Sequence, residues 1–132
     1  MAEVIITSGK RKSAIARAYI KKGKGIVRVN NLNLQAYPEY LRNIMAEPLN
    51  LAEKYSKKVS IEVNVKGGGP ISQAEAVRTA IGKAIAKFSD DEEIKNLFME
   101  YDRTLLVSDT RRKEPKKQLG RGARKKRQKS YR

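Results

Sequence analysis

Arg111 to Arg132 reads RRKEPKKQLGRGARKKRQKSYR, twelve Lys and Arg against one acid, Glu114. At that density these side chains are suited above all to neutralising and hydrogen-bonding phosphates. Arg forks grip phosphate oxygens bidentately and stack on bases, while Lys acts as a mobile point charge. Leu119 and Tyr131 are the only large apolar residues here. The segment therefore buries too little surface to offset the entropy of ordering, and it is expected to take its shape from a polyanion. Pro115, Gly120 and Gly122 resist a helix and keep the backbone adaptable. Fully extended, such an arm of 22 residues reaches about 70 Å, against a radius of gyration of about 13 Å for the remaining body.

A second basic zone lies at the other end. Residues 1–30 hold eight basic residues and one acid, whereas residues 31–110 hold ten basic and twelve acidic ones. Lys10-Arg11-Lys12 and Lys22-Gly23-Lys24-Gly25 are short basic loops, and Arg17 and Arg28 can share one wet face beside them. Such a patch contacts nucleic-acid backbone and carries little base information. Two cationic zones around a nearly neutral middle imply two contact regions.

Other chemistries fit poorly. The chain has neither Cys nor His, which removes thiolate sites, the commonest metal ligand and the commonest general base near neutral pH. Gly67-Gly68-Gly69 precedes a helix but matches neither phosphate-loop signature, so a tight strand-to-helix turn is expected. Asp90-Asp91-Glu92-Glu93 suits a helix start, where the dipole favours negative charge, better than a metal site. No cofactor and no enzymatic activity are expected. No apolar stretch approaches membrane-spanning length, and Met1 to Lys10 lacks the features of a secretory leader.

These residues need a scaffold. Val4 to Thr7 reads as a strand interrupted at Gly9. Ser13 to Lys21 reads as a longer one, with Ala14, Ala16 and Ala18 on one face and Ile15, Arg17 and Tyr19 on the other. Lys22 to Gly25 reads as a hairpin turn returning through a partner strand, Ile26 to Asn30. Pro38 fits the first turn of a helix, with Tyr37, Leu41, Ile44 and Met45 at helical spacing and a second short piece from about Leu49 to Tyr55. Val59 to Lys66 alternates strictly between apolar and polar. Capping boxes, Ser72 with Glu75 and Ser89 with Glu92, are expected to open two helices. Ala74, Val77, Ile81, Ala84, Ile85 and Phe88 form the stripe of one, and Ile94, Leu97, Phe98 and Tyr101 that of the other. Leu105, Leu106 and Val107 make a last apolar anchor. The order predicts an α+β two-layer sandwich, a mixed sheet with helices on one face, over residues 1–110, and an extended arm over 111–132.

The residues also resemble a known family. Gly9-Lys10-Arg11-Lys12-Ser13-Ala14, then Gly67-Gly68-Gly69 through Gln73-Ala74 with Arg78 and Ile81, then Asp109 to Arg111, Glu114, Lys116 and Lys117 ahead of Ala123-Arg124, Gln128, Ser130 and Arg132, follow in order. Together they resemble the universal S-nine family of small-subunit ribosomal proteins, in its archaeal or eukaryotic branch. The resemblance implies a four-stranded sheet with helices, like ribosomal S-five domain two. It also implies a cytoplasmic structural protein in the head of the small subunit, bound to the 3′ major domain of the rRNA and to neighbouring head proteins. It implies no membrane and no homo-oligomer.

Combined with the charge pattern, this makes Lys10, Arg11, Lys12, Arg17, Lys22, Lys24, Arg28 and Arg111 the expected rRNA-binding residues of the body and arm root. Arg112, Lys113, Lys116, Lys117, Arg121, Arg124, Lys125, Lys126 and Arg127 are those of the arm. The family's contact with the anticodon stem-loop of P-site tRNA falls on Arg132, with Lys129 and Tyr131 nearby. Bacterial members end in Lys-Arg after Ser; here Tyr131 precedes Arg132, and its ring can stack on a base or ribose. The rival readings are a basic architectural nucleic-acid-binding or membrane-surface protein outside the ribosome, and a small kinase on a related fold.

Overall fold

A computed structural model describes residues 4–111 and 115. Five strands and four helices follow in the order β1 (Ile5–Arg11), β2 (Ala14–Lys22), β3 (Val27–Val29), β4 (Leu32–Asn33), α1 (Glu39–Leu51), α2 (Glu53–Ser56), β5 (Val59–Lys66), α3 (Pro70–Ser89) and α4 (Glu92–Tyr101). Single 3₁₀ turns lie at Leu34–Ala36 and Arg103–Leu105. One mixed sheet forms, in the order β1-β2-β5-β3-β4, with the helices on one face, so the expected fold class holds.

The sheet differs from expectation in two ways. It has five strands rather than four, because Asn30 and Asn31, both at positive φ (51° and 67°), form a tight turn that adds β4. Asn is among the few side chains that tolerate two such residues in succession. The second difference is that β2 and β3 do not form a hairpin. β5 lies between them, antiparallel to β2 and parallel to β3, with α1 and α2 in the crossover. The Lys22–Gly25 loop bonds to the start of β5 instead, through Gly23 N–H to the Lys58 carbonyl (3.0 Å) and Gly25 N–H to the Val59 carbonyl (2.9 Å). Two long strands with alternating apolar faces bury more together than β2 could with the three-residue β3.

Ala14, Ala16 and Ala18 are fully buried, as are Val59 and Ile81. α3 packs across β1 and β2, and its small residues let backbones approach closely. β1 continues straight through Gly9. A Cβ there would collide with the Ala76 carbonyl and sit 2.7 Å from the Ala80 nitrogen, so Gly9 is a packing position rather than an interruption. Neither expected capping box forms. Pro70 stands at the first turn of α3 with Gly69 as cap; its fixed φ starts the helix before Ser72. Ser89 closes α3, and Asp91 caps α4 by accepting from the Glu93 N–H at 2.9 Å. In α4 only Ile94 and Phe98 are buried; Leu97 and Tyr101 face outward.

Candidate nucleic-acid interface

The sheet face opposite the helices is bare. Cross-strand pairing sets three rows on it: Ile6–Tyr19–Glu62–Arg28–Asn33, then Ser8–Arg17–Asn64, then Lys10–Ile15–Lys66. Lys21, opposite Ser60, extends it. This face carries five exposed cations, Lys10, Arg17, Lys21, Arg28 and Lys66, against one acid, Glu62. Among the described residues none of the five is in an ion pair. Between them stand Ile6 and Ile15, 58% and 46% exposed, and the half-buried ring of Tyr19. Exposed cations interleaved with side chains that can lie against sugar or base are chemically suited to a nucleic-acid backbone. Arg17 and Arg28 do share the wet face, across β5 rather than within a hairpin.

Both ends of the face are basic too. Lys22 and Lys24 are exposed beside Lys57 and Lys58, brought there by the loop's bonds to β5. At the other end Lys12, at φ 53°, occupies the β1–β2 turn. Gly67 and Gly68, both at positive φ, lie tight against that turn; a Cβ on Gly67 would sit 2.5 Å from the Ser13 carbonyl. The glycines thus serve the tight turn expected of them, packed against the chain's own β1–β2 turn. Lys21, Lys57, Lys58 and Lys66 are not among the residues expected from the sequence, because Lys57, Lys58 and Lys66 lie far along the chain from the other cations of the face; strand register and the folded loop gather them.

Arg11 and Arg78 are engaged within the body. The side chain of Arg11 is only 17% exposed. Its Nε donates to Glu75 Oε2 at 2.7 Å, and its Nη1 donates to the Arg111 carbonyl at 3.3 Å and lies 3.6 Å from Asp109 Oδ2. Asp109 in turn accepts from the Arg111 backbone N–H (2.9 Å) and guanidinium (2.7 Å), which hold its carboxyl far below the usual carboxylate range. Arg78 is buried, donating to Glu47 (2.6 Å), Asp102 (2.9 Å) and Thr104 (2.8 Å). Burial pushes the Asp102 carboxyl up, but bonds from Thr104 and Arg78 outweigh it and leave it lowered. Together these groups line a cleft of about 360 Å³ in which Arg11, Arg78 and Arg111 face Glu47, Glu75, Asp102 and Asp109. Its cations are already matched by acids, so it does not suit a phosphate.

Of the expected arm residues, only Arg111 is described; its side chain is 81% exposed. Arg112, Lys113, Lys116, Lys117, Arg121, Arg124 to Arg127, Lys129, Tyr131 and Arg132 lie outside the described residues. Among the described residues, no helix is long and apolar enough to cross a membrane.

A family model described as ribosomal protein S9/S16 matches residues 9–132. The chain belongs to the ribosomal protein S9/S16 family. Its relatives include proteins named small ribosomal subunit protein uS9. The one from Thermoplasma volcanium is 56% identical over 98% of this chain and 99% of its own length. That from Thermoplasma acidophilum is 57% identical over 97% and 100%, and that from Picrophilus torridus 50% over the whole of both. All three sources are archaeal, as the resemblance implied. The family match extends through the arm to Arg132, so bare sheet and cationic extension belong to one family unit.

Proposed function

We propose that this chain is a structural protein of the small subunit of the cytoplasmic ribosome, without catalytic activity, whose sheet face and arm bind rRNA. Its archaeal relatives carry the small-subunit name. The observation that carries the mode of binding is the bare face, with five cations that form no ion pair among the described residues, beside a single acid. The body docks through this face and the flanking Lys22–Lys24 and Lys10–Lys12 loops. The arm, residues 111–132, orders on folded RNA and neutralises phosphates that would otherwise repel one another. Ordering costs free energy, and released counterions offset it. At the finer level, the RNA is the 3′ major domain in the subunit head, neighbouring head proteins flank the body, and the tip at Lys129, Tyr131 and Arg132 meets the anticodon stem-loop of P-site tRNA.

The test is salt dependence. Binding of the full chain to a 3′ major domain transcript should weaken steeply with salt, at about 0.7 to 0.9 log–log units per phosphate neutralised. Arg17→Gln and Arg28→Gln should each lower the slope by about one such increment. A total slope near ~1 contradicts multi-phosphate docking.

A further inference from the structure

We propose that Arg11 is a positioning residue for the arm, not a phosphate contact: with Glu75 and Asp109 it fixes the point and direction in which the chain leaves the body at Arg111. Arg11 ends β1 and Glu75 lies in the first turns of α3, so their bond at 2.7 Å joins the two elements packed most closely at Gly9. From that platform the same guanidinium reaches the Arg111 carbonyl, 100 residues away in sequence. It also lies beside the Asp109 carboxylate, whose side chain is 13% exposed. Asp109 closes the loop by accepting from the Arg111 N–H and guanidinium. The segment 109–111 is therefore tied to the body through the Arg111 carbonyl and the Asp109 carboxylate, and is braced within itself by the Arg111 N–H and guanidinium on Asp109.

A tie is needed there for an electrostatic reason. Beyond Arg111 the sequence adds eleven further cations and one acid, and the nearest part of the body carries Lys10 and Lys12. Like charges would otherwise drive the root of the arm away from the basic face it extends. Asp109 placed between Arg11 and Arg111 turns that repulsion into bridged attraction. Arg11 meets Glu75 and the Arg111 carbonyl with two different nitrogens of one rigid planar fork, Nε and Nη1, a spacing that the single ammonium of a flexible Lys does not preset.

This inference rests on the arm binding RNA only for its consequence, and its test separates the two. Arg11→Gln, Arg11→Lys and Asp109→Asn are made in the full chain. Amide exchange of Arg111 is followed in the free protein, with β2 and β5 amides as the check on folding. All three variants should lose Arg111 protection while the sheet amides keep theirs. Binding to the 3′ major domain transcript should fall by about three- to tenfold through lost pre-organisation, with an unchanged salt slope. Lys at position 11 should fail to rescue. The idea is overturned by unchanged Arg111 exchange in Arg11→Gln, or by a slope reduced by about 0.7 to 0.9 and restored in Arg11→Lys, the signature of a phosphate contact. If Arg11→Gln does not fold, Asp109→Asn alone decides. If wild type does not bind RNA but Arg111 loosens as described, the rRNA reading fails and the tie stands.

Discussion

Arg78 is the residue whose chemistry least resembles what its type suggests in so basic a chain. It sits on α3 and holds Glu47 of α1, and Asp102 and Thr104 of the turn after α4. A buried guanidinium is tolerated only when its charge and donors are matched. Arg78→Ala leaves two carboxylates facing each other in the cleft without their cation. Loss of a buried partner is worth about 3–5 kcal/mol, and because Glu47 and Asp102 are 35% and 41% exposed the expected loss here is lower, about 2–3 kcal/mol. Urea unfolding of wild type and variant measures it. A change under ~0.5 kcal/mol, typical of a surface site, would show that water replaces the three contacts freely.

Among the elements, the junction of β3, β4 and β5 is where a single side chain does the work of a backbone. Asn30 Oδ1 accepts from the Val65 N–H at 2.9 Å and its Nδ2 donates to the Val65 carbonyl at 3.3 Å. Its own N–H donates to Val63. The side chain thus continues the parallel ladder one step past the end of β3, while the backbone turns at φ 51° to begin β4. Asn30→Ala removes both bonds and puts a less tolerant residue at positive φ, with an expected loss of about 1–3 kcal/mol. Asn31→Gly relieves the turn and should be neutral or slightly stabilising. Thermal unfolding of both variants checks the pair; equal losses would place the effect in the turn rather than in the Val65 bonds.

At the scale of the molecule, charge is divided between a bare basic sheet, a cleft in which opposite charges cancel, and an arm of almost pure positive charge. On the function proposed above, the division separates tasks: the sheet would dock, the cleft would tie and the arm would reach. Removing Lys129 to Arg132 should therefore leave uptake into small subunits intact and weaken P-site tRNA binding by about tenfold, the order expected for losing one stacked aromatic and its flanking cations. Filter binding of tRNA to subunits reconstituted with the truncated chain measures this, and unchanged affinity would remove the tip from the tRNA contact.

Much of this was readable along the chain. The alternation of Val59 to Lys66, the alanine face of β2 and the stripe of α3 each follow from periodicities that any short window displays. The excess of cations at both ends, the missing His and Cys, and the family's order of motifs likewise need only the sequence, because composition and local pattern are properties of neighbours. The fold decided what depends on distant partners. It inserted β5 between β2 and β3, since sheet order is a competition among strands far apart in the chain. It made Gly9 a helix-contact position and let Pro70 and Asp91 override the Ser72 and Ser89 boxes. It separated Arg11 and Arg78, whose acids lie 24 to 98 residues away, from Arg17 and Arg28, which face outward and form no ion pair among the described residues. A cation's sequence says that it is charged; only its three-dimensional surroundings say whether that charge is already matched.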